Sequence, residues 1–79
     1  MKLLHGSNSD FKYMKEAIAA DVAELLTKDL DININKALNI LYNSQTYSKL
    51  NDPDTGLYFQ SSGYVYSFLK NELRTGNLG

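Results

Sequence analysis

The stretch LYNSQTYSKLNDPDTGLYFQSSGYVY, residues 41–66, decides the fold because it combines most of the aromatic residues with the strongest turn signals. It holds five of the six tyrosines and the only proline of the chain. Residues 51–56 (NDPDTG) predict a turn, since proline disfavours helical geometry at the residue before it and glycine accepts a left-handed backbone. Residues 57–60 (LYFQ) are too short for a helix of their own, and we predict extended chain that crosses the core.

Apolar residues at helical spacing precede this stretch and predict two helices. The first has its apolar face from Phe11 onward, with Ser9 or Asp10 as N-cap, and leaves Tyr13 on the solvent side. Residues 29–35 (DLDININ) alternate like a short strand, but no other segment offers a pairing partner, so we interpret them as a linker. Asn33 then caps a second helix over about residues 34–43, and Ile32 packs back onto its first turn.

Two further helices are predicted from their caps. Ser44 is placed to cap a third, short helix that ends near Leu50. Ser61 or Ser62 caps the last helix, and Gly76 terminates it. The prediction is therefore an all-α fold, a small bundle of three main helices plus one short helix, with a turn and an extended crossing before the last helix.

The length of 79 residues and the hydrophobic content of 43% indicate one domain, because two cores would each be too small. We predict an N-terminal arm and turn over residues 1–10, a single helical domain over residues 11–75, and a frayed tail over residues 76–79.

The composition excludes several classes of site. The chain has no cysteine and one histidine, His5, which removes thiolate zinc sites and cysteine nucleophiles. The net charge of -1 is dispersed, so nothing steers the chain toward nucleic acid or an anionic membrane. We find neither the apolar core of a signal peptide nor an apolar run approaching the roughly 20 residues of a membrane span. We therefore expect a cytoplasmic protein.

No residue pattern predicts catalysis. A nucleophilic serine needs a nearby base, and the only histidine lies in the N-terminal segment. His5-Gly6-Ser7 resembles the NAD-binding strand of ADP-ribosyltransferases, but a helical domain has no room for the sheets of such an enzyme, so we interpret it as a turn. Asp52, Asp54 and Thr55 could hold calcium, yet the EF-hand spacing is absent and turn hydrogen bonds explain them. We predict no enzyme, no cofactor and no metal site.

The aromatic residues are the best candidates for a binding surface. They are too many for full burial in a small core, because each phenol oxygen needs a hydrogen-bond partner or water. Since tyrosine is enriched at interface hot spots, we predict a partner-binding surface. An ordinary aromatic core with hydroxyl groups at its rim is the alternative, and the sequence leaves both open. The predicted surface comprises Tyr42, Tyr47, Tyr58, Phe59, Tyr64 and Tyr66.

Three segments carry a resemblance to a known family: AIAADVAELL at residues 17–26, ALNILYNSQTYSKL at residues 37–50, and DPDTGLYFQSSGYVYSFLKNEL at residues 52–73. Together they resemble a small bacterial family of unknown function, number thirty-seven ninety-one of the domain-of-unknown-function series. Members are small, helical and often encoded beside toxins that resemble ADP-ribosyltransferases. The resemblance implies an accessory or antitoxin-like binding role, and it supplies no established catalytic or ligand-binding residues.

These observations lead us to expect a non-enzymatic protein–protein interaction module whose partner is another bacterial protein. The wide apolar arc of the last helix, over residues 64–68, is also compatible with a homodimer. The alternative is a DNA-binding regulator of helix-turn-helix type. Its recognition helix would offer only Asn35, Lys36, Asn39 and Asn43, few groups for base and phosphate contacts. A small-molecule-binding enzyme subunit would need a pocket of convergent polar groups that the sequence does not display.

Overall fold

The computed structural model describes the backbone of residues 8–76 and the side chains from Asp10 onward, and in that range it is all-α. Residues 8–76 contain four α-helices: α1 (Asn8–Leu30), α2 (Ile34–Tyr42), α3 (Gln45–Leu50) and α4 (Ser62–Thr75). Two 3₁₀ turns, Pro53–Thr55 and Leu57–Phe59, lie between α3 and α4. The predicted bundle of three main helices plus one short helix is confirmed. None of the helices described is long and apolar enough to cross a membrane.

The core forms around α1, which packs against both α2 and α4. Hydrogen bonds join Asp21 of α1 to Ser62 and Asp29 to Tyr66, so α1 and α4 run in the same general direction. The predicted apolar face of α1 is buried at Ile18, Val22 and Leu26, as 3.6-residue periodicity requires. The remaining buried hydrophobic residues are Ala19, Ala23, Ala37, Leu41, Leu50, Leu57, Val65, Tyr66 and Leu69.

Short polar side chains begin three of the helices, as predicted. The side chains of Asn33, Ser44 and Ser61 accept hydrogen bonds from backbone N–H groups three residues later, at 2.8, 3.0 and 3.1 Å. Each bond satisfies a donor that the first helical turn leaves without a backbone partner. Gly76 ends α4 with a φ of 90°, and Ile32 packs against the core just before the Asn33 cap. The predicted N-caps of these three helices and the predicted end of α4 at Gly76 are confirmed.

The first helix is longer than predicted at both ends. It begins at Asn8, so Ser9 and Asp10 lie inside the helix and the N-cap assignment is wrong. It also includes Leu30 and ends where Asp31 adopts a φ of 55°, a left-handed conformation that aspartate tolerates better than most residues. The linker is therefore confined to residues 31–33. Our predictions for residues 1–7, including His5, and for residues 77–79 lie outside the described residues.

The extended crossing predicted for residues 57–60 is wrong, because three of these residues form the second 3₁₀ turn. Gly56 adopts a φ of 73° and redirects the chain. The N–H groups of Phe59 and Gln60 then donate to the carbonyls of Gly56 and Leu57, at 3.1 and 3.0 Å. A short 3₁₀ turn satisfies these backbone groups locally, whereas an extended chain without a pairing strand would leave them to water. Leu57 is buried and anchors the turn.

Alanine substitutions at Gly56 and Gly63 are expected to change the stability of the fold in opposite directions. A Cβ built at either glycine meets no described atom within 4 Å apart from its chain neighbours and, at Gly63, the backbone of its own helix. Gly56→Ala is expected to lower the free energy of unfolding by about 1–2 kcal/mol, because alanine resists a left-handed backbone. Gly63→Ala, in the first turn of α4, is expected to raise it by about 0.4–1 kcal/mol, because alanine lowers the conformational entropy of the unfolded chain. Urea denaturation measures both changes, and effects of the same sign would contradict this account.

Candidate functional site

Five of the six predicted binding residues take part in three separate aromatic contacts, and the sixth is buried. Tyr42 contacts Tyr47, with ring centroids 5.0 Å apart, and Tyr58 contacts Phe59 at 4.2 Å. Tyr64 instead contacts Phe68, at 5.1 Å, and Tyr66 is buried. Among the described residues no ring contact joins one of these groups to another, so they do not form one continuous surface.

The most exposed of the six predicted residues is Phe59, which contacts Tyr58. We name Phe11, Tyr58 and Phe59 the aromatic triad. The rings of Phe11 and Tyr58 meet edge to face, with centroids 4.8 Å apart. Phe59 stacks on Tyr58 and keeps 69% of its surface exposed. Lys15 lies 5.2 Å above the Phe11 ring and donates a 2.6 Å hydrogen bond to Asn51. The triad is thus an apolar surface with a cation at its edge.

The segment that carries Tyr58 and Phe59 is held by the preceding turn. The Thr55 hydroxyl donates to the carbonyls of Lys49 and Asp52, at 2.5 and 2.9 Å, and accepts from the Leu57 N–H at 3.3 Å. The Asp52 side chain accepts from the Asp54 N–H at 3.0 Å, which is the turn hydrogen bonding predicted for these residues. Together with the buried Leu57, these bonds fix the direction in which Phe59 projects.

The contact pair Tyr42 and Tyr47 lies beside a groove. Tyr42 and Tyr47 line a groove of about 340 Å³ together with Glu16, Ala19, Ala20 and Leu38. Burial, followed by the charges of Tyr42 and Glu16, raises the pKa of Tyr47. Tyr42 is exposed and Tyr47 is half-buried, so this pair lies at the rim of the core. Rim positions of this kind fit the ordinary aromatic core that was the alternative to a binding surface.

Tyr66 belongs to the predicted binding surface, but the structure buries it. Its side chain is 7% exposed and belongs to the core. The hydroxyl donates a 2.6 Å hydrogen bond to Oδ2 of Asp29, which satisfies the phenol at the core boundary, and the Lys70 ammonium lies 5.7 Å from the ring centroid. Burial, and then the hydrogen bond and charge of Asp29, raise the pKa of Tyr66 to about 12.

This raised pKa predicts a loss of stability in alkali. Above the ordinary tyrosine pKa of 10.0 the unfolded chain releases the Tyr66 proton while the folded chain keeps it to about pH 12. The stabilisation from the protonated Tyr66 hydroxyl and its bond to Asp29 is complete below pH 10 and disappears as the pH rises from 10 to about 12. Tyr66→Phe is therefore expected to be less stable than wild type at neutral pH by about 0.5–1.5 kcal/mol, and the difference should shrink toward pH 12. A difference that stays constant in urea melts across this range would contradict the Asp29 contact.

A second groove lies between α1 and α4 at their C-terminal halves, with a volume of about 430 Å³. We name it the α1/α4 groove. Leu30 and Leu73 border it with 48% and 45% of their surfaces exposed. Sequence reasoning missed it, because no pattern along the chain shows that α1 and α4 align in parallel. The lining residues are Leu26, Asp29, Leu30, Tyr66, Lys70, Leu73 and Arg74.

The geometry of α2 and α3 does not favour a helix-turn-helix. The six-residue α3 begins against Glu72 of α4, whose carboxylate accepts from the N–H groups of Gln45 and Thr46, at 2.8 and 2.9 Å. A carboxylate there repels a DNA phosphate. The Asn43 amide donates to Asn39, to its carbonyl and its Oδ1, so two of the four candidate DNA-contacting side chains bind each other.

The described residues hold no group of three or more His, Cys, Asp or Glu side chains that could bind a metal ion. Comparison of the chain with models of protein families, with curated proteins and with solved structures gave no match. The resemblance to the bacterial family stated above therefore stays a prediction, and the candidate site rests on the geometry of the aromatic triad.

Proposed function

We propose that this chain is a non-enzymatic protein–protein interaction module that binds another protein through the aromatic triad. The observation that carries the proposal is Phe59, a hydrocarbon side chain with 69% of its surface in solvent although it is fixed in an ordered turn. Exposure of an apolar phenylalanine ring to water is unfavourable. Its position in a turn held by hydrogen bonds therefore fits a residue that inserts into a partner.

The surroundings of Phe59 resemble those of an interface anchor. Tyr58 stacks on it and Phe11 supports Tyr58, so the contact surface is ordered before a partner arrives. Pre-ordering lowers the entropy lost on binding. Aromatic residues in such arrangements dominate binding energy at interfaces, while surrounding polar groups contribute less.

The family resemblance suggests which kind of protein the partner is. It favours an accessory or antitoxin-like protein of the bacterial cytoplasm whose partner is encoded by a neighbouring gene. This part of the proposal depends on the resemblance, whereas the triad as the contact surface depends on the structure.

Affinity capture tests the proposal. Wild-type chain, Phe59→Ala and Tyr13→Ala are immobilised and exposed to a nuclease-treated lysate of the native organism, and captured proteins are identified by mass spectrometry. Tyr13 is the matched control, since it is 77% exposed and lies on α1 outside the three aromatic groups. We expect one protein to be captured in stoichiometric amount by wild type and Tyr13→Ala and lost with Phe59→Ala. Equal capture by all three chains would contradict the aromatic triad as the binding surface. If a parallel capture from lysate without nuclease recovers DNA and no protein, the result would favour the DNA-binding regulator.

A further inference from the structure

The α1/α4 groove has no role in the proposed function, which uses residues near the other end of α1. Its two walls come from different helices. The α1 wall comprises Leu26, Asp29 and Leu30, and the α4 wall comprises Tyr66, Lys70, Leu73 and Arg74.

The apolar part of the groove is only half covered by the chain itself. Leu26 and Tyr66 are buried beneath it, whereas Leu30 and Leu73 leave about half of their surfaces in water, one on each wall. Two large aliphatic side chains facing one groove form an apolar surface whose removal from water is favourable.

The charges on the two walls are opposite. The α1 wall carries the carboxylate of Asp29, and the α4 wall carries the cations of Lys70 and Arg74, four residues apart on one side of the helix. Asp29 uses one oxygen to accept the Tyr66 hydroxyl, and a carboxylate can accept about four hydrogen bonds. It can therefore meet a cation of another molecule while it still holds Tyr66.

A surface with an apolar centre and opposite charges on its two sides is complementary to a copy of itself rotated by 180°. We propose that the α1/α4 groove is the interface of a two-fold symmetric homodimer, in which the α1 wall of each copy meets the α4 wall of the other. Leu30 then packs near the partner's Leu73, and Asp29 faces the partner's Lys70 and the partner's Arg74.

This interface differs from the self-association surface expected from the sequence. The apolar arc at residues 64–68 pointed to Tyr64, Tyr66 and Phe68, but Tyr66 is buried and Phe68 packs against the core. A 79-residue chain has a small core, and burial of exposed leucines between two copies adds apolar contact that one copy cannot supply.

Sedimentation velocity of the whole chain over about 1–500 µM, a range that includes the affinities of small interfaces, tests the proposal. Wild type is expected to dimerise and Leu73→Asp to sediment as a monomer, with unchanged helicity by circular dichroism because Leu73 is half exposed. Phe59→Ala is expected to dimerise like wild type, which separates this interface from the aromatic triad. A monomeric wild type would overturn the proposal, and so would a dimer that survives Leu73→Asp.

A charge exchange tests the pairing of the walls. Lys70→Glu/Arg74→Glu gives a chain with two acidic walls, and Asp29→Lys gives a chain with two basic walls. Each is expected to dimerise at least about 10-fold more weakly alone, because like charges meet. An equimolar mixture should form the heterodimer with an affinity within about 3-fold of wild type. Asp29→Lys removes the acceptor of the Tyr66 hydroxyl, so its fold is checked first, and the Leu73→Asp result decides the proposal if that variant does not fold. No recovery in a mixture of folded chains would overturn the pairing.

Discussion

Glu72→Ala is expected to lower the free energy of unfolding by about 2–4 kcal/mol, because it removes three hydrogen bonds to one ionised group. The Glu72 carboxylate accepts from the N–H groups of Gln45 and Thr46 and, at 2.8 Å, from the Thr46 hydroxyl. Thr46 is completely buried, so its hydroxyl and N–H would lose their acceptor in a place that water reaches poorly. Urea denaturation followed by circular dichroism measures the loss.

The matched control is Glu24→Ala on the exposed surface of α1, expected to have a free energy of unfolding within about 0.5 kcal/mol of wild type.

Partial burial by itself raises the pKa of Glu72, but the hydrogen bonds from Gln45 and Thr46 outweigh it and the net pKa lies below its ordinary value of 4.5. The stabilisation of the fold by ionised Glu72 is therefore complete above pH 4.5 and disappears as the pH falls through the lower pKa of the folded chain. We expect the gap between wild type and Glu72→Gln to narrow in acid. Equal stability of Glu72→Ala and wild type would show that α3 does not depend on this carboxylate.

Phe59→Ala is expected to weaken binding of the captured partner at least about 30-fold, the effect typical of an aromatic hot spot. The aromatic side chain is fixed by the turn and by its stack on Tyr58, so its contact area is gained without much loss of torsional freedom. Isothermal titration calorimetry with the purified partner measures the change. Phe59→Leu should retain part of the affinity, because it keeps an apolar side chain in the same place.

Two further variants define the surface. Tyr13→Ala should bind within about 2-fold of wild type, since a residue outside an interface contributes little. Phe11→Ala should weaken binding less than Phe59→Ala, because Phe11 supports Tyr58 and is only half-exposed. A Phe59→Ala variant that folds normally and binds with full affinity would mean that the partner contacts another part of the chain.

The features that sequence predicts well here are local ones. Asn33, Ser44 and Ser61 cap helices through bonds to residues three positions away, and Gly56 and Gly76 are left-handed as glycines at chain reversals often are. The apolar periodicity of α1 also predicts its buried face. Each of these depends on a few neighbouring residues, so one sequence is sufficient to recognise it.

The features that it does not predict depend on packing between distant segments. Tyr66 was expected at the surface, but its burial follows from the alignment of α4 with Asp29, 37 residues earlier. Phe11 is predicted only on the core face of α1, and its contact with Tyr58 joins residues 47 positions apart. The bond of Glu72 to α3 likewise spans 26 residues. Periodicity within a helix gives no information on which residue of another helix lies opposite.

Site-specific photocrosslinking tests the central claim most directly, because it reports which surface a partner touches in the native cell. Benzoylphenylalanine replaces Phe59 in one variant and Tyr13 in the other, so both carry an aromatic probe at an exposed position. After irradiation we expect a crosslinked protein at position 59 and none at position 13. A crosslink of equal strength at both positions, or at position 13 alone, would contradict the aromatic triad as the binding surface.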